Sequence, residues 1–256
     1  MTNSEKIKVL ITAKTYPLPS ASHLETVCTA GVREDGSFIR LYPIDYRYRP
    51  FWQWYKKYQW IELEVERNEK DPRPESYRPV PTVPIKPLGE PLPTAKKWAE
   101  RQKYVLAKGT QVMCRLNQTS QSERSLGIVR PSRVSDVIVE EAGREWKPEW
   151  QALFQQQQLF GPQRKPLEKI PYKFSYVFKC EAPACPGHTM MIEDWEIGQL
   201  YRAMREKHGS EQAACEKVRH KLLVEMCAAD VDTHFFVGTV LAHGTWVIIG
   251  VFWPKK

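Results

Sequence analysis

Between residues 40 and 57 the chain concentrates cations and flat rings: Arg40, Tyr42, Tyr46, Arg47, Tyr48, Arg49, Phe51, Trp52, Trp54, Tyr55, Lys56 and Lys57. Cationic groups on a loop meet backbone phosphates through charge, while aromatic faces offer bases a stacking surface at about 1–3 kcal/mol per ring. The pattern predicts a polyanion with stackable faces as ligand, with Arg40, Arg47, Arg49 and Lys56 on phosphate and Tyr42, Trp52, Trp54 and Tyr55 on bases. The same residues would also suit a satellite core of rings with arginine stems laid over it.

A second group could hold a metal. Cys180, Cys185 and His188 fall within nine residues, and Pro186-Gly187 forms a turn between the last two. Three thiolate or imidazole donors at this spacing supply most of a tetrahedral structural zinc site. The fourth ligand is open among Cys215, Cys227, His208 and Asp194, with Cys227 carried as the working choice.

Catalysis has thinner support, and no catalytic residue is assigned. His188, Glu193 and Asp194 could in principle serve a metal-dependent nuclease. Asp194 and Glu196 are equally well explained as the cap and first turn of a helix. Walker A, G-x-S-x-G, H-E-x-x-H and G-x-G-x-x-G patterns are absent.

The elements that must position these groups are mostly strands. Residues 60–67 alternate strictly, with Ile61, Leu63 and Val65 on one face and Glu62, Glu64 and Glu66 on the other, which predicts a half-buried strand. Further strands are expected at 8–13, 26–32, 38–42, 134–139, 172–180, 189–192, 234–240 and 246–253. Residues 71–94 carry a proline every few positions and read as an extended connector, followed by a short helix over 94–107. The Ser/Gln-rich stretch 117–124 marks a boundary, and 146–171 reads as loop or irregular helix. Asp194 and Ser210 should each cap a helix, the first ending at Gly209.

Composition narrows the class. Thirty-eight Lys plus Arg against 30 Asp plus Glu give a net charge of +8 over 256 residues, with nine Trp. Basic and aromatic together favour nucleic acid, although a surplus of this size also serves solubility. Six scattered cysteines suit a reducing cytoplasm. The apolar run near the amino terminus is too short for a signal peptide and no stretch approaches spanning length, so no membrane partner is expected.

In this order the segments resemble the dual OB-containing domain family, found in bacterial conflict and defence loci and thought to sense nucleic acid. The residues that carry the likeness are Lys14, Cys28-Thr29-Ala30-Gly31, Gly36 to Arg40 with Pro43 behind, the strand at 60–65, Leu126 to Pro131, residues 172–178, Met191 to Asp194 and the closing runs 235–240 and 246–251. The chain departs from the family pattern where Leu41-Tyr42 separates Arg40 from its proline, and in its Cys180, Cys185, His188 cluster. The resemblance implies a mainly β protein with helical insertions, built as two small OB-like barrels. One spans 1–120 with the proline-rich connector, the other 121–256 with the helical insertion and the zinc candidate. It adds Lys14 to the phosphate contacts and implies a non-catalytic module that binds single-stranded DNA or RNA and signals to an effector protein. The rivals are the nuclease above and a zinc-stabilised protein-interaction module.

Overall fold

The computed structural model describes residues 4–160, 165 and 167–256. Its first half contains β1 (Glu5–Lys14), β2 (Leu18–Ser20), β3 (Leu24–Val32), β4 (Phe38–Ile44), β5 (Trp60–Arg67), β6 (Ser76–Pro79) and β7 (Lys86–Leu88). β1 pairs antiparallel with β3 and β3 with β4; β4 runs parallel to β6, β6 is antiparallel to β5, and β5 returns to β1. That circuit is a closed five-stranded barrel in the strand order of an OB fold. The alternation expected of β5 is observed, and Ile61, Leu63 and Val65 join Val9, Ile11, Val27, Ile39 and Leu41 inside.

The proline-rich stretch is more than a connector, because it supplies β6, the strand that closes the barrel. Its ladder is short: Arg40 and Leu41 face Ser76 and Tyr77. Pro74 and Pro79 flank the paired residues, so the missing N–H groups interrupt little. The approach to β6 is held by buried Asp71, which accepts from Arg73 Nε at 2.8 Å, Arg73 Nη2 at 2.6 Å and Ser76 Oγ at 2.6 Å.

The chain continues through α1 (Ala95–Val105), α2 (Met113–Leu116), β8 (Leu126–Val129), β9 (Pro131–Glu141), α3 (Pro148–Phe160), β10 (Tyr172–Cys180), β11 (His188–Met191), α4 (Trp195–His208), α5 (Glu211–His220), β12 (His234–Thr239) and β13 (Trp246–Phe252). Lys96, Lys97 and Trp98 take positive φ, so α1 opens on a left-handed turn before its regular part. α3 shows that half of the segment read as loop or irregular helix is a helix, running through the glutamines. β9, β10 and β11 form one antiparallel sheet, and β8, β12 and β13 another. Only Arg130 separates β8 from β9, so one bent strand serves both sheets. On the far side Ile192 bridges Ile248 in parallel. The circuit repeats that of the first barrel, with α4 and α5 inserted before the fourth strand.

The fold is therefore mainly β, with two OB-like barrels and helical insertions. Asp194 caps α4 by accepting from Glu196 N at 2.9 Å. Ser210 caps α5 through Ala213 N, and Gly209 ends α4 at φ 63°, a conformation that costs glycine little. Ala13 and Ala30 of the first barrel pack with Leu126, Phe236 and Ile249 of the second. Among the described residues no helix is long and apolar enough to cross a membrane.

Candidate nucleic-acid surface and metal centre

The segment between β4 and β5 divides its side chains by depth. Two short 3-10 turns, Tyr46–Tyr48 and Phe51–Gln53, reverse the chain. Gln53 points inward, where its Oε1 accepts from Arg49 Nη1 at 3.0 Å and Ile85 N at 3.1 Å. Its two predecessors are turned outward, leaving Phe51 75% and Trp52 61% exposed. Trp54 donates from Nε1 to Arg49 O at 2.9 Å, and its ring lies 4.8 Å from Phe51 and 5.1 Å from buried Tyr46. Phe51 is thus rooted in the barrel core through Trp54.

Several residues expected on a ligand lie elsewhere. Tyr55 is 1% exposed, its hydroxyl shared with Thr29 at 2.7 Å, so it cannot stack a base. Arg40 is 3% exposed and acts as a strut between barrels, donating from Nη2 to Ser125 O at 2.9 Å and from Nη1 to Cys28 Sγ at 3.4 Å. Arg47 is neutralised by buried Glu25 at 3.0 Å and Arg49 by Asp45 at 2.8 Å. Both guanidinium groups stabilise the loop instead of reaching free phosphate. Lys56 is exposed, and its amine sits 3.7 Å from the equally exposed Glu90. Tyr42, hydrogen-bonded to Thr26 Oγ1 at 3.3 Å, lines a cleft between the barrels.

Lys14 is folded into an aromatic cage, with Nζ 3.7 Å from the Tyr46 ring centre and 4.5 Å from that of Trp195. Burial lowers its pKa to about 8 despite the nearby carboxylates of Glu196 and Asp194. Those two acids bind Lys57 instead, Asp194 at 3.2 Å and Glu196 at 3.0 Å. Burial alone would pull the Lys57 amine down, but the carboxylates outweigh it and hold its pKa above the ordinary lysine value.

The inter-barrel cleft has a volume of about 320 Å³. Tyr42, Thr26, Arg40 and Glu193 contribute polar groups to it, and Val247 and Ile249 form an apolar wall. Burial raises the pKa of Glu193, partly offset by His243.

The metal candidates are brought together, with one change of partner. Cys114 of α2 joins Cys180, Cys185 and His188, and all four donor atoms lie within 4.8 Å of one another. Cys114 Sγ is 3.5 Å from Cys180 Sγ, Cys180 Sγ is 3.6 Å from Cys185 Sγ, and His188 Nε2 is 3.3 Å from Cys185 Sγ. A tetrahedral zinc ion with bonds near 2.3 Å sets its sulfurs about 3.8 Å apart, so the set needs only slight expansion to hold one. The backbone N–H of Cys180 donates to Cys185 Sγ at 3.3 Å, an outer-shell bond of the kind that favours thiolate. Cys227 is not the fourth donor: it faces the Tyr176 hydroxyl at 3.9 Å. Cys114 escapes detection in sequence because 66 residues separate it from Cys180.

The proposed nuclease triad does not assemble. His188 belongs to the cysteines, Asp194 to Lys57, and Glu193 to the cleft.

Two solved structures share overall similarity at low levels. A murine DNA-binding protein bound with double-stranded DNA aligns at TM-score 0.33 and 7% identity, over 98% of this chain and 96% of that one. A tetrameric p202 HIN2 domain aligns at 0.33 and 6%, over 100% and 97%. Neither likeness is strong enough to carry an argument. No curated protein matches the chain. Residues 5–107 match a second family of unknown function, DUF8758. Residues 109–256 match the family described as Domain of unknown function (DUF8757), and with more than half its length covered the chain belongs to that family.

Proposed function

We propose that the protein is a non-catalytic module that binds single-stranded nucleic acid. One observation carries the reading: Phe51 and Trp52 stand adjacent and solvent-exposed on an OB-type barrel, with Phe51 backed by Trp54 and through it by Tyr46, and with Lys56 close behind in sequence, in a chain of net charge +8. Burying two rings in a base stack removes apolar surface from water that the protein otherwise leaves exposed. A single strand offers free base faces to such a platform, whereas a duplex keeps its faces stacked. Trp52, Lys56 and half-buried Trp54 are the retained contacts, with Phe51 added. Arg47 and Arg49 shape the loop.

The two barrels divide near residue 120 in this reading. Cys114, Cys180, Cys185 and His188 hold a structural zinc that ties α2 to the hairpin of β10 and β11. A bacterial defence setting, with an effector protein receiving the signal inside the cell, is the biological frame that the family resemblance suggests.

Fluorescence anisotropy with labelled single-stranded DNA, RNA and duplex tests the reading. Binding should favour single strands and weaken about 5- to 150-fold for Trp52→Ala. Equal affinity of wild type and Trp52→Ala would contradict it. A parallel incubation in Mg²⁺ or Mn²⁺ should leave the strands intact, and cleavage that co-purifies with the protein and is lost in Asp194→Asn would revive the nuclease.

A further inference from the structure

We propose that the cleft between the two barrels receives a single nucleobase, unstacked from the strand that lies on Phe51 and Trp52; this rests on the nucleic-acid reading above. The cleft, about 320 Å³, is large enough for a base with part of its sugar. Its chemistry is mixed in the way a flat heterocycle requires: apolar walls for the faces and a few polar groups for the edge. Val247 and Ile249 supply one wall. Leu18 and Leu241, one from each barrel, line it while remaining 54% and 40% exposed, apolar surface that nothing in the fold accounts for.

At the polar edge Glu193 offers a carboxylate to amino or imino hydrogens. The Tyr42 and Thr26 hydroxyls, already 3.3 Å apart, can each donate or accept. Arg40 lines the same space as a fixed wall, its Nη groups held by Cys28 Sγ and Ser125 O. A carboxylate and two hydroxyls in one slot suit a ligand presenting donors and acceptors side by side, as every nucleobase edge does. Arg73 also lines the cleft, but the Nη groups of Arg40 and Arg73 are taken by Cys28, Ser125, Asp71 and Thr239, so a phosphate would meet Glu193 with no free cation beside it among the described residues, which argues for the base as the inserted group.

The test uses single-stranded oligonucleotides carrying 2-aminopurine at successive positions, together with equilibrium dialysis of the four free nucleosides. The variants are Glu193→Gln and Tyr42→Phe in the cleft and Trp52→Ala outside it, each checked by circular dichroism for an unchanged fold. One probe position should brighten on binding as the base leaves its stack, and at least one nucleoside should bind. Both cleft variants should weaken nucleoside binding about tenfold and lose the brightening, while Trp52→Ala keeps nucleoside binding and weakens the strand. Strand binding with no brightening at any position, and no nucleoside bound, would overturn the inference and leave the nucleic-acid reading standing. If no strand binds, that reading fails, and the dialysis alone then decides the cleft: a bound nucleoside sensitive to Glu193→Gln supports it, no bound nucleoside overturns it.

Discussion

The lysine at the end of β1 shows how far environment can move a residue from its ordinary chemistry. Enclosed by Tyr46 and Trp195 and partly desolvated, Lys14 has a pKa lowered to about 8, against about 10.4 for a free side chain. Its rate of acylation, followed by peptide mass spectrometry, should reach half its maximum near pH 8, while surface lysines keep rising beyond pH 10. A Lys14 profile that still rises beyond pH 10 would contradict the cage. Arg47 behaves in the opposite sense. Its charge is committed to Glu25, whose side chain is almost wholly enclosed. Arg47→Ala should therefore lower stability by about 1–3 kcal/mol in a denaturant titration, with little loss of strand affinity in the folded protein. Residue types between 40 and 57 were legible in sequence, but their direction was not. Whether a ring points out depends on partners such as Ile85, the residue just before β7 that anchors Gln53 from far along the chain.

At the scale of elements, the metal centre depends on a helix of four residues. α2 carries Cys114 to the hairpin of β10 and β11, where the other three donors already stand. Purified protein should contain about one zinc per chain by elemental analysis. Cys114→Ser and Cys180→Ser should each abolish it and lower the melting temperature, because metal binding free energy adds to folding. Cys227→Ser should leave zinc content unchanged; a loss there would put Cys227 back among the ligands. The three local donors of this site, Cys180, Cys185 and His188, were readable from spacing. The remainder was not, since barrel closure and not sequence proximity sets Cys114 beside it. β6 was hidden for a related reason: its prolines suppress strand propensity, and only its barrel partners β4 and β5 give it a place. By contrast β5, α4 and α5 were legible because alternation and capping are local physics.

Across the whole molecule, buried charges join the two barrels. Lys57 reaches Asp194 and Glu196 from the other barrel. Lys57→Met would strand an enclosed carboxylate, so unfolding free energy should fall by about 3–5 kcal/mol. The Asp71–Arg73 pair adds a third link, as Arg73 Nη1 donates to Thr239 O at 2.6 Å. Burial raises the Asp71 pKa, but hydrogen bonds from Arg73 and Ser76 outweigh it and bring it from 3.8 to about 2. The folded state thus binds this proton less tightly than the unfolded chain. The stability it contributes is complete above pH 4 and drains away as pH falls toward 2, and Asp71→Asn should flatten that part of the acid unfolding curve.

The central claim, that a single strand lies on the Phe51–Trp52 platform, is tested most directly by a salt titration. Affinity for a single-stranded oligonucleotide is measured from low to physiological ionic strength for wild type, Trp52→Ala and Lys56→Ala. Log affinity should fall linearly with log salt. Lys56→Ala should reduce that slope by about 0.7, and Trp52→Ala should lower affinity at every salt with the slope unchanged. An absence of single-strand binding at low salt, or binding whose strength and slope ignore both substitutions, would contradict it.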